Sequence, residues 1–235
     1  MLVWWASVTL SNGLEPTEVH ISSEFAYDQP LLSDKPFFIF LSQSGETADS
    51  REVLDNVIKQ GFGSLTIANV MNSTLTREAD FALPLLAGPE IAVASTKAYT
   101  AQIIVEAILA HAAGNSTLDL KHELAKVAVE MQVIIDQKEA FKTVAESALR
   151  DRRSAFYIGR GLDAAVAVEA ALKLKEISYV QTEGFAAGEL KHGTISLIEE
   201  GTPVFALLTQ TKTAGLVRGE IAQVTARGAN AVIKI

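Results

Sequence analysis

Six short runs rich in β-branched and aromatic residues, 37–41, 64–70, 81–87, 155–159, 203–209 and 229–235, alternate with longer stretches of helical spacing. Strands separated in this way cannot pair as hairpins, so the pattern imposes βα units and parallel sheets covered on both faces. Residues 95–150 carry no strand signal and are rich in Ala, Leu, Ile, Lys and Glu. Gly114, Asn115 and Ser116 supply a stop and a new cap inside that stretch, which predicts two helices, the second connecting two lobes. The expected organisation is α/β, with a first lobe over 1–118, a connecting helix over 119–150 and a second lobe over 151–235. Ahead of residue 37 there is room for one helix and a short strand at 17–21.

Composition narrows the function classes. The chain of 235 residues has 20 Lys+Arg against 28 Asp+Glu and a net charge of -8. That balance works against binding a phosphate backbone or an anionic membrane, because such affinity comes mostly from Lys and Arg releasing counterions. With no cysteine there is no disulfide, thiolate metal site or thiol nucleophile, which suits a reducing compartment. The apolar start, residues 1–10, has no Lys or Arg before Lys35, so the basic region of a secretory signal is missing. The apolar stretch 101–113 carries Glu106 and His111 and is shorter than the ~20 residues a membrane span needs. A soluble cytoplasmic protein that binds neither nucleic acid nor membrane is expected.

Four segments have the residue types of a site. The run Phe37-Phe-Ile-Phe-Leu41 leads into Ser42-Gln-Ser-Gly-Glu-Thr47 and then a helical pattern to about Gln60. Hydroxyls, an amide and a glycine at a helix N-terminus offer backbone N–H groups and small donors to an anion, with the helix dipole in support. Equally open is the reading in which Ser44 only caps the helix and Thr47 fills its first turn. The second segment, Gly88-Pro-Glu-Ile-Ala-Val-Ala-Ser-Thr-Lys97, also follows an apolar run and precedes a helix; Ser95 reads as its N-cap or as part of the same crevice.

The third segment is the helix expected over 163–179. At ~100° per residue, Glu169, Lys173 and Glu176 share one polar stripe on an otherwise apolar helix, as a salt-bridge ladder or as the wall of a site. In the fourth, Glu183-Gly-Phe-Ala-Ala-Gly-Glu-Leu-Lys-His-Gly193, His192 beside a flexible glycine is a candidate for proton transfer. Gly159-Arg-Gly-Leu-Asp-Ala164 satisfies a loose dinucleotide fingerprint, but the acid expected about twenty residues on falls near Glu183, where the sequence is glycine-rich rather than strand-like.

Taken together, Leu41-Ser-Gln-Ser-Gly-Glu-Thr-Ala-Asp49, Glu90-Ile-Ala-Val-Ala-Ser-Thr-Lys-Ala98, Glu169-Ala-Ala-Leu-Lys-Leu-Lys-Glu-Ile-Ser-Tyr179 and Glu183-Gly-Phe-Ala-Ala-Gly-Glu-Leu-Lys-His-Gly193 occur in the order found in one family. From about Thr17 to Ile235 the chain resembles the isomerase region of the glutamine–fructose-6-phosphate aminotransferases, built from two sugar-isomerase (SIS) domains. The resemblance implies two SIS-type lobes, each a flavodoxin-like three-layer sandwich. It implies that Ser42, Gln43, Ser44 and Thr47 hold a sugar phosphate and that Val93 and Ser95 contact the sugar. Glu176 would shuttle a proton between C1 and C2, Lys173 would assist near the reacting carbons, and His192, from the partner subunit of a homodimer, would promote ring opening.

Converting a ketose imine to an aldose amine needs one carboxylate able to take a proton from one carbon and return it to its neighbour, with a cation near the developing charge. No metal or organic cofactor is then required. Fructose 6-phosphate and glucosamine 6-phosphate are the implied ligands. Against the family pattern, the glutaminase domain with its N-terminal cysteine, the opening strand with its Gly-Thr-Ser loop and the C-terminal segment with its Schiff-base lysine are all missing, as in a piece truncated at both ends. The expected activity is therefore at most ketose–aldose isomerisation, with ammonia supplied by a separate glutaminase polypeptide. A non-catalytic phosphosugar-binding module and an inactive fragment are the alternatives.

Overall fold

A computed structural model describes residues 17–28, 35–114 and 116–234; the apolar start at 1–10 lies outside them. The chain divides into two compact units, one up to Leu118 and one from Asp119. In the first, a single helical turn α1 (Ser22–Phe25) precedes β1 (Phe37–Ser42), α2 (Ala48–Lys59), β2 (Gly63–Ala68), α3 (Thr74–Glu78), β3 (Phe81–Pro84) and α4 (Lys97–Ala113). The strand expected at 17–21 does not form. The three strands make one parallel sheet in the order β1-β2-β3.

Side-chain alternation along the strands builds two cores. Phe40 joins Phe25, Val53, Leu54, Val57 and Leu75 on the face covered by α2 and α3. Ile39, Leu41, Leu65, Ile67 and Leu83 pack with Ala98, Val105 and Leu109 of α4 on the other. The sheet is thus the middle of three layers, as the near-continuous apolar strands require. Ser42 stands opposite Ala68, and Ala68 opposite Pro84. All three strands therefore end in one row, and the segments 43–47, 69–73 and 85–96 emerge side by side at the carboxyl edge.

The second unit begins with α5 (Leu120–Asp136) and α6 (Lys138–Leu149), so the single long helix expected there is broken at Gln137. It continues with β4 (Ser154–Gly159), α7 (Leu162–Ser178), β5 (Gln181–Ala186), two 3-10 turns (Ala187–His192 and Thr194–Leu197), β6 (Pro203–Leu207), α8 (Thr211–Ala226) and β7 (Asn230–Lys234). The parallel sheet has the order β5-β4-β6-β7. Phe156, Ile158, Val204 and Ala206 pack with Val217, Ile221 and Val224 of α8, with Leu190 of the first 3-10 turn and with Ile198 just after the second.

β5 corrects the sequence reading, which took this segment as too glycine-rich for a strand. Gly184 is there because α7 lies directly on it: an added Cβ would sit 2.4 Å from the Val168 Cα and 2.6 Å from the Ala167 carbonyl oxygen. Glycine inside a strand marks such a close backbone approach. The α7 helix is also less buried than its apolar sequence suggests, with Val166 and Ile177 exposed. Among the described residues no helix is long and apolar enough to cross a membrane.

Candidate functional site

At the end of β1 the chain folds the 42–47 turn onto itself. The buried Ser42 Oγ accepts the Gly45 N–H at 2.8 Å, and Ser44 Oγ accepts the Glu46 N–H at 3.2 Å. A hydroxyl that accepts keeps its proton to donate. Gly45 has φ +68°, and a Cβ there would lie 1.9 Å from Ser73 Oγ, so only glycine fits. Leu75 N–H bonds the Gly45 carbonyl at 3.0 Å.

Glu46 is turned away from the turn and accepts the Thr74 N–H at 2.8 Å and the Thr74 hydroxyl at 2.7 Å. These two bonds, with Arg77 and Arg51 behind them, hold its carboxyl below the usual carboxylate range. The carboxylate thus serves as a cap for α3, whose own N-cap Ser73 makes no side-chain capping bond.

Ser44 does not cap α2. The N-cap is Thr47, its side chain makes no capping bond, and the first turn's N–H groups have no intrahelical partner. Four side-chain donors and an uncapped helix N-terminus lie within six residues, and among the described residues none of those side chains donates a hydrogen bond, which is the arrangement that binds an anion. Gly45→Ala is expected to destabilise the protein by about 2 kcal/mol or more, through strain at positive φ and the clash with Ser73. A urea midpoint shift worth under ~0.5 kcal/mol, the range of an ordinary surface change, would contradict this geometry.

The 85–96 loop runs alongside. Ser95 does not cap α4 either: the N-cap is Thr96, without a capping bond, and Glu90 Oε2 instead accepts the Ala98 N–H at 3.1 Å. Ala94 is buried, Ser95 is half-buried and Val93 is 88% exposed. Further along α4, Ala98, Gln102 and Glu106 form one buried stripe. Glu106 is 1% exposed, and neither carboxylate oxygen has a hydrogen-bond partner among the described residues. Burial pushes its carboxyl up to about 8.

In the second unit the polar stripe of α7 is an ion-pair ladder. Lys173 Nζ lies 2.8 Å from Glu176 Oε2 and 3.5 Å from Glu169 Oε1. Glu169 is buried, while Lys173 and Glu176 are half-buried. The ladder and site-wall readings are compatible, because the central ammonium already orients both carboxylates. His192 ends the first 3-10 turn, is exposed, and is followed by Gly193 at φ +145°.

The turn after β4 is filled by protein side chains. Arg160 pairs with Glu220, Asp163 accepts the Thr209 N–H at 2.9 Å, and the Gln210 amide donates to the Arg160 carbonyl at 3.0 Å. Glu183 lies mid-strand opposite Phe156 rather than at the end of β5. This differs from the placement of a ribose-binding acid, and the crevice holds neighbours where a dinucleotide would need room.

The SIS domain profile matches residues 13–112 and again 148–235. The chain belongs to the SIS domain family. Its 42–47 turn and α7 ladder each fall within a matched segment. A glutamine–fructose-6-phosphate aminotransferase (isomerizing) of Lactiplantibacillus plantarum is 65% identical over 224 residues, covering 92% of this chain and 37% of that protein. One of Bacillus subtilis is 59% identical over 234 residues, covering 97% and 38%. The chain therefore spans under two-fifths of the curated relatives it matches. Among solved structures, the C-terminal domain of the Francisella tularensis glucosamine-fructose-6-phosphate aminotransferase superposes with a TM-score of 0.87 at 34% identity, covering 99% of this chain and 68% of that one. The Escherichia coli tagatose-6-phosphate ketose/aldose isomerase, at 17% identity and a TM-score of 0.82, shares the fold.

Sequence reasoning singled out the turn and the ladder but missed Glu46 and Glu90, which cap α3 and α4, and Asn69, whose side chain bonds Ala87 and Gly88 in the 85–96 loop. Their signal is weak, because each is a single polar residue whose partner lies in another element.

Proposed function

We propose that this SIS chain is the sugar-phosphate isomerase portion of a glutamine–fructose-6-phosphate aminotransferase, binding fructose 6-phosphate and yielding glucosamine 6-phosphate. The observation that carries the reading is the 42–47 turn, where Ser42, Gln43, Ser44, Thr47 and the uncapped start of α2 supply donors that have no acceptor among the described residues. The phosphate sits there, and Val93 and Ser95 border the sugar. His192, from the second subunit of a homodimer, promotes ring opening.

Ammonia from a separate glutaminase condenses with the C2 carbonyl, whose oxygen leaves as water, to form the imine. Glu176 then removes a proton from C1, the C1–H electron pair forms the C1–C2 double bond of an enolamine, and the imine nitrogen takes up a proton. Return of the proton from Glu176 to C2 re-forms a carbonyl at C1, as the enolamine hydroxyl gives up its proton. Lys173, hydrogen-bonded to Glu176 at 2.8 Å, stabilises the charge that develops on the enolamine oxygen or nitrogen.

Calorimetric titration with fructose 6-phosphate tests the binding half. Ser44→Ala is expected to weaken affinity by about 10- to 100-fold, the worth of one hydrogen bond to a charged group. Equal affinity in both proteins would remove the phosphate from this turn.

A further inference from the structure

We propose that Asn69 is a positioning residue that locks the 42–47 turn and the 85–96 loop into one frame, so that the anionic end and the carbon skeleton of a ligand are held at a fixed separation. The proposal rests on the sugar-phosphate reading above. Asn69 follows Ala68, the last residue of β2, in the row that Ser42 and Pro84 complete. From this central place it reaches both ways.

Its backbone N–H donates to the Gln43 carbonyl at 3.1 Å, inside the turn. Its side-chain Nδ2 donates to the Gly88 carbonyl at 2.6 Å, and its Oδ1 accepts the Ala87 N–H at 3.1 Å. Among the described residues no hydrogen bond joins the turn to the loop directly, so Asn69 is their shared anchor. Its loop partner Ala87 sits between two residues of positive φ, Leu86 at +55° and Gly88 at +69°. Such backbone persists only where surrounding contacts fix it.

Only a primary amide supplies a donor and an acceptor at that reach. Aspartate keeps the acceptor for Ala87 but sets a carboxylate against the Gly88 carbonyl. Alanine loses both side-chain bonds. Every substitution keeps the backbone bond to Gln43, so the two loops are separable by experiment.

The test is calorimetric titration of the full chain, as wild type, Asn69→Asp and Asn69→Ala, with fructose 6-phosphate and with inorganic phosphate. Both variants are expected to bind fructose 6-phosphate at least tenfold more weakly while inorganic phosphate affinity changes less than twofold. Hydrogen exchange at the Ala87 amide is expected to rise while that at Gly45 stays constant. A purely structural role would weaken both ligands together, and that result overturns the proposal, as does unchanged affinity for the sugar phosphate. Failure of the unaltered protein to bind fructose 6-phosphate would instead strike the underlying reading.

Discussion

Replacing Glu106 with glutamine or leucine is expected to abolish a steep loss of stability between pH ~4.5 and ~8. In the folded protein burial on α4 pushes the carboxyl up to about 8 from an ordinary 4.5, and among the described residues neither oxygen has a donor. Between those values the folded state holds a proton that the unfolded chain has released. Unfolding then releases protons, and stability must fall as pH rises.

At ~1.4 kcal/mol per unit the full loss approaches roughly 5 kcal/mol above pH 8, and none is incurred below 4.5. That is a large share of a typical domain's stability. Urea unfolding of the wild type across this range should therefore show a midpoint that declines with pH, and the Glu106 variants should flatten it. A wild-type midpoint that stays level across the same range would mean that Glu106 finds a partner or water when ionised.

Glu176→Gln is expected to lower proton exchange between C1 of fructose 6-phosphate and solvent on the order of 10³-fold, with affinity for the sugar phosphate kept within a few fold. The substitution preserves shape and removes only the base. Lys173 is not left alone by the change, since Glu169 remains 3.5 Å from its ammonium, and the helix should fold normally. If the unaltered chain binds but shows no exchange, it is a phosphosugar-binding module. If Glu176→Gln keeps full exchange, the base lies elsewhere.

Much of the fold was legible because parallel strands buried on both faces read as continuous apolar runs; five of the six were followed by a turn and a helical pattern, and the sixth, at 229–235, closed the sequence. The strand β5 was hidden for a physical reason. Gly184 is required by the backbone of α7 above it, and that requirement exists only once the helix has docked. The break at Gln137 was equally silent, because the residues on either side have ordinary helical propensity.

At the site, the serine-rich turn was visible because its donors are contiguous, and the α7 stripe because i, i+3 and i+4 spacing is local. The caps were not. Serines 44 and 95 stand where N-caps are expected, yet the actual N-cap positions fall to Thr47 and Thr96, and carboxylates 46 and 90 reach across to cap α3 and α4. Glu106 counted in the sequence only as a charge against a membrane span; its burial is a property of packing.

Amide resonances followed by NMR while fructose 6-phosphate is titrated into the 15N-labelled chain would test the central claim most directly. Saturable shifts largest at Gly45, Glu46, Ala48 and Asp49 are predicted. Shifts absent from those amides, or confined to the second sheet, would contradict it.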